Sequence, residues 1–160
     1  LISAINILVT KYNVSNFKLV QVGEFSKLTP EFQAQIAALN LSNHIILTNK
    51  ISNAKMLNII FDVFVVSSSR EGGPSSALES MLMQTLIVTT NVGIMPEIIK
   101  NNVNGFICEA GDPNQLAKSL FDAYTSEKIN LQSISLHNYE LVKANFNSNK
   151  IANQLLNFYK

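Results

Sequence analysis

Residues 62–79, DVFVVSSSREGGPSSALE, pass from an apolar β-branched run at Val63–Val66 to Ser67, Ser68 and Ser69, and then to Glu71, Gly72, Gly73 and Pro74. After Pro74 the apolar residues Ala77, Leu78, Met81 and Leu82 recur at helical spacing. This predicts strand, loop and helix in succession. A short continuous apolar run suits a strand buried on both faces, and Gly72-Gly73 lets backbone come close to a ligand. Pro74 suits the first helical position, where its missing N–H would have had no partner. The N–H groups of Ser75 and Ser76 then point outward from a helix start, a setting that binds anions.

Two carboxylates bracket the loop, Glu71 and Glu79, with seven residues between them. One approaches a ligand from the strand tip and the other from the flank of the helix, with the helix-start N–H groups between. That arrangement suits a molecule with a phosphate in the middle and hydroxyls at both ends. Glu, seven residues, Glu after a strand ending in Ser resembles the nucleotide-sugar motif of the retaining family 4 (group 1) GT-B glycosyltransferases.

The whole sequence has 160 residues, of which 47% are hydrophobic and 14% charged, with a formal net charge of +1. That length fits one domain able to bury roughly 70% of its unfolded surface. The charge balance lacks the basic excess of a nucleic-acid binder. No apolar run approaches the roughly 20 residues needed to span a bilayer, and the amino end does not read as a signal peptide. The lone Cys108 cannot form an intramolecular disulfide or a metal cluster, which is compatible with a reducing cytoplasm.

Elsewhere the pattern alternates. Residues 1–12 read as a helix, residues 17–22 as a strand stopped by Gly23, and Thr29-Pro30-Glu31 as a helix start with a cap, a Pro and an acid in the first turn. Residues 44–47 read as a strand and 54–60 as a helix capped by Asn53. Residues 86–89 predict a strand, Val92-Gly93 a turn, 96–100 a short helix, and Asn104-Gly105 a tight turn before the strand Phe106–Cys108. Gly111-Asp112-Pro113 starts a helix over 116–124, and residues 131–160 form two helices broken near 145–149. Strands alternating with helices predict an α/β fold: a three-layer Rossmann-like parallel sheet with helices on both faces and ligands at the carboxyl ends of the strands.

The resemblance covers nearly the whole chain. Residues 91–120, NVGIMPEIIKNNVNGFICEAGDPNQLAKSL, look like the family's segment from the Gly turn through Pro-Glu-Ile-Ile to the Gly-Asp-Pro helix start, and residues 145–159 resemble its closing helix. It implies the carboxyl half of a GT-B fold, a nucleotide-sugar-binding domain over residues 1–160. Carried over by position, Glu71 contacts the donor sugar in a catalytic or positioning role, with Gly72 and Gly73 against the same sugar. Ser75 and Ser76 hold the diphosphate, Glu79 bonds the ribose hydroxyls, and Lys50 and Ile51 touch the base. No metal and no cofactor are expected, the nucleotide-diphospho-sugar being the donor substrate.

The chain departs from the family at Gln84 and Leu86, where many relatives have Gly and Pro, and at Pro74, where many have Gly. The family's first strand, its loop bearing an Arg and a Lys that neutralise the diphosphate, and its acceptor-binding N-terminal domain are expected ahead of Leu1. Lys11 and Lys27 are poor substitutes for those cations.

Either Glu read alone is a solvated surface acid, and Glu97 either caps its helix or lines the cleft. The Ser67-Ser68-Ser69 run has no Gly-x-Ser-x-Gly elbow, and His44 and His137 read as structural or surface residues, which disfavours a serine hydrolase. Cys108 reads as a small core residue. Gly23 is a feeble dinucleotide signal. The function expected is the donor-binding domain of a glycosyltransferase that moves a sugar from a nucleotide-diphospho-sugar with retention, in cell-surface polysaccharide or glycolipid synthesis. The alternatives are a GT-B-fold sugar epimerase or phosphorylase, or a non-catalytic α/β nucleotide-binding module. The implied setting is the cytoplasm at the inner face of the membrane, with peripheral membrane contact through the N-terminal domain. The 160 residues alone are expected to bind a nucleotide diphosphate weakly without transferring sugar.

Overall fold

The strand Leu86–Thr90 has all five residues buried, and its side chains alternate between two cores. Leu86 and Val88 pack with Ala4, Leu116, Ala117 and Ala123, whereas Ile87 packs with Ala77, Met81, Met95 and Val142. Neighbouring strands divide in the same way: Val63, Val65, Phe106 and Cys108 face the first core, Phe64, Val66 and Ile107 the second. Because both sets are apolar, these strands read as unbroken hydrophobic runs, as a sheet covered on both faces requires.

The computed structural model describes residues 1–23 and 29–158. In chain order the elements are α1 (Ile2–Thr10), β1 (Leu19–Val22), α2 (Thr29–Ala38), β2 (Ile45–Thr48), a 3-10 helix (Ala54–Ile59), β3 (Val63–Val66), α3 (Ser75–Leu82), β4 (Leu86–Thr90), α4 (Met95–Ile98), β5 (Phe106–Cys108), α5 (Pro113–Thr125), α6 (Lys128–Asn145) and α7 (Ser148–Phe158). The result is the α/β architecture read from the sequence. β3, β4 and β5 form one parallel set, with Val63 opposite Leu86 and Val88 opposite Phe106. β1 and β2 form a second parallel pair, with Leu19 opposite Ile45. A third cluster of Ile2, Ile5, Ile36, Leu41 and Ile45 holds that pair. α1 belongs to both sides, giving Ala4 to the large core and Ile2 and Ile5 to the smaller one.

Several boundaries differ from the sequence reading for local reasons. Pro74 is the residue before α3, with its carbonyl accepting from Ala77 N at 2.9 Å, so Ser75 takes the first helical position. Asn53 makes no side-chain cap; it lies at φ 60°, and the segment after it is a 3-10 helix. Asn is among the few side chains that tolerate this left-handed conformation. Phe17 stays outside β1 and stacks on His44, ring centroids 4.8 Å apart, and His44 stays outside β2. α6 starts at Lys128, three residues before the expected Leu131. Asp112 caps α5 as expected: its carboxylate accepts from Gln115 and Asn114 N–H groups, which hold its pKa below the ordinary value. Cys108 is buried in the large core, and burial pushes its thiol pKa up. Lys27 and Tyr159 lie outside the described residues. Among the described residues no helix is long and apolar enough to cross a membrane.

A buried amide pair pins α6 to the turn before β5. Asn138 Nδ2 donates to the Asn104 carbonyl at 2.6 Å, and Asn104 Nδ2 donates to Asn138 Oδ1 at 3.0 Å and to the Ile98 carbonyl at 3.0 Å. Asn104 Oδ1 accepts from Lys100 N at 2.7 Å. A satisfied buried network of this kind fixes one arrangement of the elements it joins.

Candidate functional site

The loop after β3 is held from beneath by β4. Thr90 Oγ1 donates to the Ser68 carbonyl at 2.7 Å and lies 3.4 Å from the Val66 carbonyl. From that anchored position Ser68 Oγ donates to Glu71 Oε1 at 2.8 Å, which fixes the direction of an otherwise exposed carboxylate. The turn after β4 backs the same loop. Gly93 is at φ +54°, and a Cβ there would lie 2.9 Å from the Gly72 carbonyl oxygen and 3.0 Å from that of Glu71. Neither the backbone angle nor the space admits a side chain, so Gly93 is needed for the close packing of these two turns. Gly72 and Gly73 face the other way: a Cβ at either meets nothing within 4 Å. Open space therefore lies on the outer side of the loop.

Ser75 and Ser76 follow, exposed in the first turn of α3, with amides that have no carbonyl of their own helix to bond. The partial positive charge of the helix start is concentrated there. Glu79 is exposed and three residues beyond Ser76, so the two share a helix face. Together they line a cavity of about 400 Å³ that is also lined by Lys55 and Asn58. Arg70, the sequence's single arginine, is exposed next to Glu71 in the chain. The unit can thus offer anion-binding amides flanked by two carboxylates that accept hydroxyl hydrogen bonds.

Lys50 and Ile51 lie exposed after β2, and neither lines that cavity; the nearby lysine that does is Lys55. Glu97 is exposed in the first turn of α4. His137 is exposed on α6. Beside the loop, Asn91 Nδ2 donates to Glu109 Oε2 at 2.7 Å, and Asn91 Oδ1 accepts from Ala110 N at 2.9 Å, which closes the carboxyl ends of β4 and β5 against each other. Among the described residues no group of three or more His, Cys, Asp or Glu is placed to hold a metal ion.

Three supporting residues were not singled out for these roles from the sequence. Ser68 was visible only as part of a serine run, Gly93 only as half of a turn, and Thr90 lies 22 residues from the carbonyl it holds. The Thr89-Thr90 pair closing a strand that begins Leu-Ile-Val was the available signal for the last of these.

The family model for "Glycosyl transferases group 1" matches residues 1–135. The Staphylococcus aureus capsular polysaccharide biosynthesis glycosyltransferase CapM is 26% identical over 99% of this chain and 41% of its own length. The chain thus spans less than half the length of the curated relatives it matches over nearly all of its residues. Among solved structures, the C-terminal domain of the group 1 family glycosyl transferase LpcC from Francisella tularensis superimposes with a TM-score of 0.77 at 25% identity, over 92% of this chain and 77% of that one. Anabaena HepE, solved with UDP and glucose, shares the fold with a TM-score of 0.84 at 18% identity, over 99% of this chain and 43% of that one. The bracketed strand–loop–helix, the parallel sheet beneath it and the match to the family model together show that the chain belongs to the group 1 glycosyl transferases.

Proposed function

We propose that residues 1–160 are the donor-binding domain of an enzyme that moves a sugar from a nucleotide-diphospho-sugar to an acceptor with retention of configuration. The observation that carries this is the placement of exposed Glu71 and Glu79 on either side of the free amides at the start of α3. CapM's role in capsular polysaccharide synthesis and the UDP and glucose bound by HepE support a sugar nucleotide as donor and a cell-surface polysaccharide as product.

In this reading Glu79 accepts hydrogen bonds from the ribose hydroxyls, and the amides of Ser75 and Ser76 bond the diphosphate. As the bond from the anomeric carbon to the phosphate oxygen breaks, its electron pair goes to the diphosphate. The amides and the helix dipole meet that growing charge without reorganising, an effect worth about 3 kcal/mol or more per donor in a closed site. Glu71, aimed by Ser68, bonds the sugar hydroxyls at the outer face of Gly72 and Gly73 and holds the anomeric carbon for attack. Lys50 and Ile51 lie on the base side. The acceptor is held by sequence beyond this domain, so the 160 residues alone bind a nucleotide diphosphate without turnover.

The test uses the intact enzyme with Glu71→Gln. The expected result is a kcat lowered roughly 100-fold or more, the scale of a lost catalytic or positioning contact, with affinity for the nucleotide diphosphate unchanged. Undiminished turnover would remove Glu71 from the reaction.

A further inference from the structure

β5 and β2 are both edge strands, each bonded to one neighbouring strand among the described residues. Their outward backbone groups differ. In a parallel ladder alternate residues of a strand bond to the same neighbour. On β5 the Cys108 carbonyl accepts from Asn91 N–H at 2.8 Å, so Ile107 faces outward. There the Ile107 N–H is taken by Asn101 Oδ1 at 3.1 Å, and the Gly105 carbonyl accepts from Asn102 N–H at 2.9 Å. On β2 the His44 carbonyl accepts from Leu19 N–H at 2.8 Å, which turns Ile46 and Thr48 toward β1 and Ile45 and Leu47 outward. The Leu41 carbonyl takes the Ile45 N–H at 3.1 Å, but neither the N–H nor the carbonyl of Leu47 has a partner among the described residues. Edge strands are normally blunted by a charge, a proline or a bulge, and Ile45–Thr48 carries none of these.

The side chains around this edge are uncharged as well. No Asp, Glu, Lys or Arg lies between Glu31 and Lys50, although 14% of the chain is charged. The similar gap between Glu79 and Glu97 surrounds β4, which is buried at every position. Burial does not explain the first gap: Ile46 is 45% exposed, and α2 exposes Gln33, Ala34, Gln35, Ala37 and Ala38. We propose that this edge pairs with the same edge of a second copy of the chain, β2 antiparallel to β2 about a two-fold axis at Leu47. The two Leu47 residues then exchange both N–H···O bonds, and each Asn49 N–H meets the partner's Ile45 carbonyl. Between these bonded pairs Ile46 lies beside the partner's Thr48, which covers its exposed side chain. A second copy is the occupant because a surface that meets itself across a two-fold axis must not set like charges face to face. Lys18, which donates to the Asn43 carbonyl, and Lys50 lie beyond the ends of the strand, where solvent screens them. The contact is short, so the dimer is weak. Nothing in this pairing depends on the glycosyl-transfer reading.

The test is sedimentation equilibrium of the 160-residue chain up to about 1 mM, with amide hydrogen exchange at low and high concentration. Ile46→Lys puts a charge on the paired edge, and Val103→Lys makes a similar change at a 64%-exposed residue ahead of β5. The expected result is a reversible dimer whose Leu47 amide exchanges at least about tenfold more slowly at high concentration. Ile46→Lys should raise its Kd about tenfold or more, and Val103→Lys should leave it unchanged. A chain that stays monomeric would overturn the proposal. So would association that continues past a dimer, a dimer that Ile46→Lys leaves intact, equal weakening by both variants, or slowing confined to β1 or β3.

Discussion

The two halves of this chain solve the same packing problem to different extents. β4 is buried at all five positions, with cores above and below it. β1 is half-buried at all four, and among the described residues it pairs with β2 alone. The difference shows where structural precision is concentrated. The three-stranded set, β3 to β5, carries Glu71, Ser75, Ser76 and Glu79 through short connections, and its strand ends are cross-tied by Thr90, Asn91 and Gly93. The β1–β2 pair is attached through Ile2 and Ile5 of α1 and Leu120 of α5.

The largest test of that contrast is in the cores. Ile87→Ala, at a fully buried position, should cost about 2–5 kcal/mol in denaturant unfolding. Leu19→Ala, half-buried on β1, should cost clearly less. Equal losses would mean that the two halves are equally consolidated. Next in size is Gly93→Ala. It puts a methyl group against the Gly72 carbonyl at a left-handed backbone angle, a strain of about 1–3 kcal/mol. Because the relief is to push the Glu71–Gly72 loop outward, nucleotide-sugar binding should weaken by more than the loss of stability explains. Stability lost with binding intact would show that the loop does not depend on this support.

A smaller effect, of opposite sign, is expected at Gln84. The sequence marks it as a departure, since many members of the family carry Gly there. In the structure Gln84 is at φ 60° just past α3, where its N–H bonds the Met81 carbonyl at 3.1 Å and Thr85 N–H bonds the Ser80 carbonyl at 3.0 Å. This is the paired bonding of a helix end that favours glycine in the left-handed position. Gln84→Gly should therefore stabilise the protein by roughly 1 kcal/mol, read as a raised Tm. A lowered Tm would mean that the Gln side chain contributes more than its backbone strain removes.

What could be read in advance was local. Val63–Val66 was legible because a strand buried on both faces is apolar at every residue, and Asp112 because a carboxylate before Pro113 has only its own helix to cap. Pro74 was placed one residue too far along, since a Pro at the cap and a Pro at the first helical position look alike until the first carbonyl bond is seen. Asn53 misled because Asn serves both as a cap and as a left-handed residue. The supports of the site were hidden for another reason: Thr90 to Ser68 and Gly93 to Gly72 are contacts between turns of different strands.

The central claim is that the segment from β3 into α3 binds a nucleotide diphosphate through the start of α3 and Glu79. Calorimetric titration of UDP, GDP and ADP into the wild-type chain and Glu79→Ala tests it most directly, with thermal unfolding of both as the control for folding. One of the three should bind the wild type. Loss of the charge-assisted bonds to the ribose should raise its Kd in the variant by roughly 10- to 100-fold, equivalent to about 1.5–3 kcal/mol, with Tm nearly unchanged. A Kd identical in wild type and variant would contradict the account.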